Sequence, residues 1–456
     1  MARFFERLVF GQMKHHLLML CVFLWVFSQI GHAFSAESPV QKVASFGGVD
    51  IRSIAREPEE EAFLPVADRT FPDFVPRGLI LGKFLVLPSV GVGGFHTDNL
   101  YATDSNEVSD SAAVITPALN VRTLKDKHFF GANLTSEIIR YFDNTNENVE
   151  NFAVSFGGHH ELKEGLLLPY EVSYERYHQG RSDNLSRVFT KKPLEISDFD
   201  VSAGVSYKPN RFGLKVLGRY IQKRFEDGVS LSDPTMQVVR SDSNFQTNQL
   251  EVSGSYEFPA NHTAFVRGVY SDTTYDKGIF NDSAQSFTST FRDAQSFNGL
   301  VGVSTKYKGL LLSDIGIGYA AVDFENRSLS DVENLALDAS VDLNVTQLTS
   351  LGLSASRTIT QDNEIIQGIV QTKGTLSVDH ELRRQLVLNA YGTYLNRDFD
   401  GISREDDLYR VGLGFLYRPV PYYNIRGEYV YSTQDSTFSG KDFDRNLFMI
   451  RLTGQY

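Results

Sequence analysis

The sequence contains very little cysteine and tryptophan, with one of each among 456 residues, Cys21 and Trp25. Both lie within the first 36 residues, so a mature chain without that segment has no thiol. Such a chain forms no disulfide and no cysteine-ligated metal site. The sequence also has no run of basic residues, and its 56 Asp and Glu outnumber its 44 Lys and Arg. This balance argues against nucleic acid as a partner, because phosphates require a basic surface.

Long hydrophobic runs are also missing, with one exception at the N-terminus. Residues 17–30 form a mostly apolar run that follows Arg3, Arg7 and Lys14, and small residues occur at 33, 35 and 36. This order is typical of a secretory signal peptide, which we assign to residues 1–36. An N-terminal membrane anchor is the alternative, and the run is short for spanning a bilayer. Without residues 1–36 the chain has 41 basic and 55 acidic residues, a net charge of −14.

Residues 37–80 differ in composition and in hydrophobic pattern from the remainder of the chain. They contain five prolines and an acidic cluster at Glu57 and 59–61, and they show no sustained alternation of apolar and polar positions. Such a composition favours an irregular, solvated segment. We therefore expect a short flexible periplasmic leader or linker between the signal peptide and the folded domain.

From residue 81 to residue 456 the sequence is dominated by strand-like alternation. Between Leu335 and Thr346, six apolar residues occupy every second position and alternate with smaller or polar residues. Period 2 places the two sets on opposite faces of a β-strand. The same pattern recurs in segments that begin at Val201, Leu250, Ile315 and Val411. Strands of this length are long enough to cross a bilayer at a tilt.

The connections between these strands alternate in length. Eight are short, as at residues 163–165, 308–309 and 383–385, and nine are mostly longer and rich in Asp, Asn and Ser, as at 97–110 and 226–242. Seventeen connections imply eighteen strands, and we expect sixteen to eighteen. Short turns on one side and long loops on the other are typical of an outer-membrane barrel. The predicted fold is therefore an all-β, antiparallel transmembrane barrel over residues 81–456, with both ends on the periplasmic side.

A soluble β-sandwich or propeller also alternates apolar and polar residues. In this sequence, however, the apolar stripes commonly finish in an aromatic residue, which fits the aromatic girdles of a membrane barrel. The aromatic residues assigned to these girdles are Tyr207, Tyr220, Phe225, Tyr256, Tyr270, Phe324, Tyr394 and Tyr417. A lumen filled with water also explains the modest hydrophobic content of 41%. We therefore favour the barrel.

The C-terminal strand carries a candidate assembly signal. Its apolar face consists of Phe448, Ile450, Leu452 and the terminal Tyr456. This pattern resembles the signature that the barrel assembly machinery recognises in outer-membrane barrels. Gly454 departs from that signature, since a larger apolar residue is usual there.

Several segments of the sequence resemble those of a known family. The run at residues 78–89, Gly-Leu-Ile-Leu-Gly-Lys-Phe-Leu-Val-Leu-Pro-Ser, is followed by a strand ending at Asp98-Asn99, as in the Putative beta-barrel porin 2 family. Segments 376–382, 404–414 and 443–452 resemble its C-terminal half. The resemblance covers residues 77–456. It implies an outer-membrane barrel, often linked to exopolysaccharide or capsule machinery, with no enzyme activity, no cofactor and no agreed functional residues.

If one face of each strand meets lipid, the charged residues of the other face line the lumen. Fixed charges along a water-filled pore select among solutes. They also serve a simpler role as ion pairs that hold strands in register. The predicted lumen-lining residues are Lys215, Arg219, Arg267, Asp338, Asp342, Arg410, Arg426, Glu428 and Arg451, and Glu137, Glu171 and Glu251 share their face. An eighteen-stranded barrel is wide enough for an aqueous channel unless loops or the leader fill it.

These observations support two functional hypotheses. The first is a porin-like passive channel, linked to polysaccharide export, and the second is a non-conducting structural or adhesion barrel. An envelope hydrolase built on Asp379, His380 and Glu381 is disfavoured because His380 falls on the apolar face. His159 and His160 fall on opposite faces of one strand, so they cannot bind one metal ion together. We expect no catalytic residue, cofactor or metal site. The expected partners are outer-membrane lipids, the barrel assembly machinery and a polysaccharide or its export machinery.

Overall fold

The structure, a computed structural model, describes Val66, Arg69 and residues 72–456, except for 125–126, 182–189, 260, 282–285 and 362–367. The predicted signal peptide and most of the predicted leader lie outside the described residues. Within the described part, no helix is long and apolar enough to cross a membrane.

Eighteen long strands form the body of the protein, and most are 13 to 15 residues long. They are β1 Phe84–Thr97, β2 Asp110–Thr123, β3 His128–Tyr141, β4 Val149–Lys163, β5 Leu166–His178, β6 Glu195–Tyr207, β7 Phe212–Phe225, β8 Phe245–Phe258, β9 His262–Tyr275, β10 Ala294–Tyr307, β11 Leu311–Phe324, β12 Val332–Thr346, β13 Thr349–Gln361, β14 Gly368–Arg383, β15 Leu386–Phe399, β16 Arg404–Val420, β17 Tyr423–Ser436 and β18 Phe443–Gln455.

Each strand pairs antiparallel with its neighbours in sequence, and the sheet closes on itself. The closing pair is β1 with β18, where Ser89 lies opposite Gln455 and Thr97 lies opposite Leu447. The prediction of an antiparallel barrel is confirmed, and the strand count is the upper value of the expected range. Closure leaves no long edge strand exposed, which removes the main liability of an all-β protein.

The short turns lie at one end of the barrel and the long loops at the other, where the sequence indicated. We call these ends periplasmic and extracellular, following the usual arrangement of outer-membrane barrels. For example, β12 and β13 are joined by residues 347–348, whereas β7 and β8 are joined by residues 226–244. Short regular pieces occur outside the barrel strands. They are the 3-10 helices Pro72–Phe74, Thr145–Glu147 and Ser241–Ser243, and the short strands Leu79–Leu81, Gly228–Val229, Gln237–Val238, Phe280–Asn281 and Ser286–Phe287.

The seam of the barrel is completed by the short strand Leu79–Leu81. It pairs antiparallel with the first three residues of β1, below the point where β18 ends. The backbone N–H of Tyr456 donates to the carbonyl of Pro88 at 3.1 Å, so the C-terminus is joined to β1 at the same level. Leu79–Leu81 therefore pairs with the part of β1 that β18 does not reach.

The cross-strand register assigns each residue to one of two faces. Val92, Leu452 and Ile425 are direct partners on one face, and Gly93, Arg451 and Arg426 are partners on the other. The first face carries large exposed apolar side chains around the barrel, including Leu335, Ile317 and Val411, each more than half exposed. An exposed apolar belt of this kind is the surface that a barrel presents to lipid. The other face lines the lumen.

Near the extracellular loops, the lumen face is buried, and many apolar residues lie there among buried polar and charged ones. We call this band the extracellular collar, and it consists of Phe95, Ala112, Val114, Ile139, Val149, Ile196, Phe225, Tyr275, Ala294, Phe324, Val332, Ile369, Phe399, Leu408, Val430, Phe443 and Leu447. Loop residues pack on it, as Leu329 does against Phe324 and Val332. The sequence predicted a water-filled lumen unless loops or the leader fill it, and at the collar loops pack against the lumen face.

Two aromatic assignments were wrong for the same reason. Phe225 and Phe324 end their strands on the lumen face, where they are buried beneath loops, and not in a membrane girdle. The other six aromatic residues lie on the outer face, and Tyr270, Tyr394 and Tyr417 among them are exposed. Loop packing at the strand ends creates a second apolar environment that period-2 alternation alone does not reveal.

Candidate functional site: the lumen and its inner loop

The register places all nine predicted lumen-lining residues on the lumen face. Lys215 and Arg219 are on β7, Arg267 on β9, and the remaining members are on β12 and β16–β18. Glu137, Glu171 and Glu251 share that face. Their role in choosing solutes remains a prediction.

The lumen face of β5–β12 carries an excess of negative charge. We call it the acidic wall, and five cations accompany nine carboxylates on it. The carboxylates are Glu171, Glu175, Asp198, Asp200, Glu251, Glu257, Asp314, Asp338 and Asp342, and the cations are Lys215, Arg219, Lys223, Arg267 and Lys306.

Most cations of the acidic wall are in ion pairs on that wall. Lys215 Nζ lies 2.9 Å from Glu251 Oε1, and Lys223 Nζ lies 3.1 Å from Asp198 Oδ2. Arg219 pairs with Asp200, and Arg267 Nη1 lies 3.5 Å from Asp338 Oδ2. The Arg267 and Asp338 side chains are about one third exposed, which means that the interior is open to solvent at this level.

The lumen face of β14–β18 carries the opposite excess. We call it the basic wall, and it has eight cations and four carboxylates. The cations are Lys373, Arg397, Arg404, Arg410, Arg418, Arg426, Arg445 and Arg451, and the carboxylates are Asp379, Glu381, Asp406 and Glu428. The acidic wall and the basic wall lie on roughly opposite sides of the eighteen-stranded barrel. Two walls of opposite charge across a pore set up a transverse electric field.

The loop between β1 and β2, residues 98–109, folds into the barrel, and we call it the inner loop. Ala102 is 1% exposed and packs in one cluster with Leu395, Leu408 and Phe443, which belong to the lumen face of β15, β16 and β18. The loop therefore reaches across the inner surface of three to four strands. Residues beside this path, such as Ser432 and Gln434 of β17, are almost fully buried.

Hydrogen bonds from two loop residues fix the start of the inner loop. The Asn99 side-chain amide donates to the carbonyl of Asp444 at 2.8 Å and to that of Thr103 at 2.7 Å. The Asp98 carboxylate accepts from the backbone N–H of Asn446 at 2.8 Å and from its side chain at 2.6 Å. Ala102 has a positive φ of 50°. A non-glycine residue in that conformation is held there by its surroundings.

The inner loop is joined to two further extracellular loops through Tyr101. The Arg181 guanidinium lies 5.8 Å from the Tyr101 ring centroid and makes a buried ion pair with Glu147. Burial raises the pKa of the Tyr101 phenol above its usual value, and the nearby Glu147 charge raises it further. A cavity of about 60 Å³ lies beneath this cluster, lined in part by Leu100, Glu147, Arg181 and Arg445.

The end of the leader lies at the periplasmic mouth. The Val66 N–H donates to Ser350 Oγ at 2.8 Å, and Arg69 donates to Asn344 Oδ1 at 2.7 Å and to the Gln347 carbonyl at 2.6 Å. Ser350 and Asn344 are partners on the lumen face of β13 and β12. The leader thus contacts the lumen entrance on the side opposite the inner loop.

The residues of the hydrolase motif Asp379, His380 and Glu381 do not all lie on one face of the sheet. Asp379 lies on the lumen face and His380 on the outer face, where its Nδ1 is 3.0 Å from Thr349 Oγ1. His159 and His160 likewise lie on opposite faces of β4. In the part of the chain that the structure describes, no group of three His, Cys, Asp or Glu side chains is arranged to hold a metal ion.

Comparison with solved structures finds receptor chains of low sequence identity. A point mutant of the ferric enterobactin receptor PfeA from Pseudomonas aeruginosa is 8% identical, with 81% of both chains covered and a TM-score of 0.46. The alcaligin receptor FauA from Bordetella pertussis is 10% identical, with 83% of this chain and 77% of that chain covered and a TM-score of 0.43. A comparison with curated proteins gives no match.

The family comparison is more direct. The family described as Putative beta-barrel porin 2 matches residues 71–456, which include the whole barrel and its seam strand. This is the family that the sequence resembles. Together with the closed barrel, the match identifies the chain as an outer-membrane β-barrel. The chain belongs to the Putative beta-barrel porin 2 family.

Proposed function

We propose that the protein is a passive diffusion channel of the outer membrane. The observation that carries this proposal is the solvent-exposed interior at the acidic wall, where charged side chains face a lumen enclosed by eighteen strands. Buried interiors do not keep ion pairs one third exposed to water, whereas a pore does. In this proposal the inner loop narrows the extracellular half of the pore, and the charged walls below it bias which solutes pass.

Permeation of neutral solutes tests the channel without reference to charge. The mature protein is refolded into liposomes and checked as folded barrel by its resistance to unfolding in detergent without heating. Swelling is then recorded in isotonic solutions of sugars of increasing size. We expect small sugars to enter and large oligosaccharides to be excluded. Liposomes that exclude even small sugars, with folded protein present, would contradict the channel.

We further propose that the channel takes part in the export or surface assembly of an exopolysaccharide or capsule. Support comes from the family, in which barrels are often linked to such machinery. Deletion of the gene is expected to retain polymer in the periplasm, and wild-type protein on a plasmid should restore surface polymer. Normal surface polymer in the deletion strain would contradict export while leaving diffusion of small solutes intact. In this proposal the polymer or its export machinery is the partner, alongside outer-membrane lipids and the assembly machinery.

A second candidate function is a non-conducting structural or adhesion barrel. The extracellular collar favours it, because the loop residues Ala102, Leu329 and Ile402 pack against apolar residues of the lumen rim. Loops that seal the rim would leave the charged interior open to the periplasm only. The swelling experiment separates the two candidates, since a sealed barrel admits no solute of any size.

A further inference from the structure

The barrel wall is incomplete at one place in its extracellular half, between β12 and β13. The ladder between these two strands ends where Leu337 lies opposite Arg357. On either side the pairing continues further, because β11 pairs with β12, and β13 with β14, as far as the ends of these strands. Residues 332–336 and 358–361 therefore flank a gap in the wall.

Above this point the tip of the β13–β14 hairpin, residues 358–361 and 368–371, lies against the inner side of β12. By alternation, Ile359 and Val370 of the hairpin tip have the outer-face register. Val332 of β12 faces the lumen, yet Val370 belongs to the same buried cluster and Ile359 packs against that cluster. Outer-register side chains reach lumen-face residues here because the ladder between the two strands is open.

Ile359 occupies an apolar pocket of the lumen face. Besides the cluster of Val332, it packs against a second buried cluster, which consists of Leu300, Ala320 and Ala336. These four lumen-face residues are between 1% and 7% exposed. The chemistry of the pocket is given by its occupant in this structure, which is a branched aliphatic side chain.

Arg357 bridges the lower end of the gap. Its Nε donates to Asn334 Oδ1 at 2.8 Å, and its Nη1 donates to Thr372 Oγ1 at 2.6 Å. Asn334 is on the lumen face of β12, whereas Arg357 and Thr372 are cross-strand partners with the outer-face register. The gap therefore has a polar end at Arg357 and an apolar side at Ile359.

The gap opens on the outer face at the level of the membrane interface. Leu335 flanks the gap and is 61% exposed on the outer face, and its cross-strand partner Tyr319 is exposed as well. Exposed aromatic residues on the outer face of a barrel mark the interface between lipid and water. The gap thus lies between the lumen and the extracellular leaflet of the membrane.

We propose that this gap is a side passage between the lumen and the extracellular leaflet, and that it transmits molecules with an aliphatic chain and a polar head group. Ile359 closes the passage in this structure and leaves its pocket when the hairpin tip moves toward the plane of β12. The aliphatic chain then occupies the pocket, and the head group lies beside Arg357. The inference goes beyond the proposed channel, because a barrel sealed by its extracellular loops would still release such molecules through its wall.

The test locks the hairpin tip to β12 by a disulfide in the variant V332C/G368C. A Cβ atom at Gly368 would lie 3.6 Å from Val332 Cβ, a separation at which two cysteines form a disulfide. A chain without residues 1–36 has no other cysteine. The matched control is G352C/S377C, because these residues are direct partners in the intact ladder between β13 and β14, with a corresponding separation of 4.0 Å. The control disulfide does not join the hairpin to β12.

The readout is the movement of a lysolipid out of liposomes that contain the refolded protein. Fluorescent lysophosphatidylcholine is loaded into the inner leaflet, and external albumin, which is too large for the lumen, extracts the probe that reaches the outside. We expect wild-type protein to speed extraction, and oxidised V332C/G368C to lower the rate several-fold. Reduction with dithiothreitol should restore the rate, and the oxidised control should match the wild type. Swelling in small sugars should be the same for all variants.

Three results would overturn the side passage. They are wild-type extraction no faster than in protein-free liposomes, equal rates from the two oxidised variants, and a parallel loss of sugar permeation in the locked variant, since the tip would then close the lumen itself. Extraction without sugar permeation in the wild type would support the passage and contradict the channel.

A second variant tests the closure without a disulfide. Ile359→Ala empties the pocket and is expected to raise the extraction rate several-fold above that of the wild type. An unchanged rate from protein verified as folded barrel would overturn the assignment of Ile359 as the residue that closes the passage.

Discussion

Arg181 and Glu147 form a buried ion pair between two extracellular loops, with Nε and Nη2 of the guanidinium each 2.7 Å from a carboxylate oxygen. The two side chains are 9% and 2% exposed, and the guanidinium also lies over the ring of Tyr101 in the inner loop. Three loops that are separate in sequence therefore meet at one pair of charges. The arrangement of these three loops at the extracellular entrance therefore depends on Arg181 and Glu147.

The first prediction concerns the substitution Glu147→Gln. Removing one partner leaves a buried charge uncompensated, which typically costs about 3–5 kcal/mol. We expect a lower midpoint of urea unfolding in lipid vesicles and faster cleavage of the extracellular loops by protease. The control is Glu150→Gln, because Glu150 pairs with Arg140 where both side chains are largely exposed. An exposed pair contributes about 1 kcal/mol or less. Equal effects of the two substitutions would show that the Arg181 contact does not hold the loops.

The second prediction concerns the inner loop. Replacing residues 100–107 by a short Gly-Ser linker removes Ala102, which packs on Leu395, Leu408 and Phe443. We expect a larger single-channel conductance, because the loop then no longer narrows the lumen. The control is the same replacement of residues 232–236, an exposed part of the loop between β7 and β8. An unchanged conductance after the first replacement would place the narrowest point elsewhere.

Much of this architecture could be predicted from the sequence, because a barrel strand carries its own signal. Leu335 and Ile317 alternate with small or polar residues since one face meets lipid and the other the lumen, so both faces follow from local order. The inner loop gave no such signal. Ala102 is a small residue in a polar segment, and its contact with Leu408 joins positions about 300 residues apart. Such a contact follows only from closure of the barrel.

The same limit applies to the charges of the lumen. The face of Arg426 and that of Arg451 could each be predicted from alternation, but their direct opposition depends on the register between β17 and β18. The excess of cations over β14–β18 likewise becomes a wall only when those strands are neighbours. Phe225 and Phe324 show the reverse case, in which a correct strand pattern led to the wrong environment at the strand end.

The third prediction tests the two faces with adjacent residues of β14. Leu376 lies on the outer face and is 46% exposed, whereas Ser377 lies on the lumen face. A lysine facing the lipid near mid-membrane costs about 2–4 kcal/mol. We expect Leu376→Lys to lower the free energy of unfolding in vesicles by that order, and Ser377→Lys to change it by far less. If Ser377→Lys proved the more damaging of the two, the assigned faces of β14 would be reversed.

The fourth prediction concerns the candidate assembly signal. Phe448, Ile450 and Leu452 are about half exposed on the outer face of β18, and the terminal Tyr456 is equally exposed. We expect Tyr456→Ala to reduce the amount of folded barrel recovered from outer membranes several-fold. Tyr422→Ala is the control, because its ring lies beside Tyr456 at 6.4 Å without being part of the terminal strand. Equal recovery of the two variants would show that the terminal aromatic residue carries no special signal.

The account depends most directly on whether the lumen conducts. The decisive measurement is the single-channel current of the refolded mature protein in a planar bilayer at 1 M potassium chloride, where surface charge is largely screened. The account predicts stable, uniform steps of current that last for minutes. Silence from protein verified as folded barrel, under the same conditions and in repeated insertions, would contradict the channel and support the structural barrel.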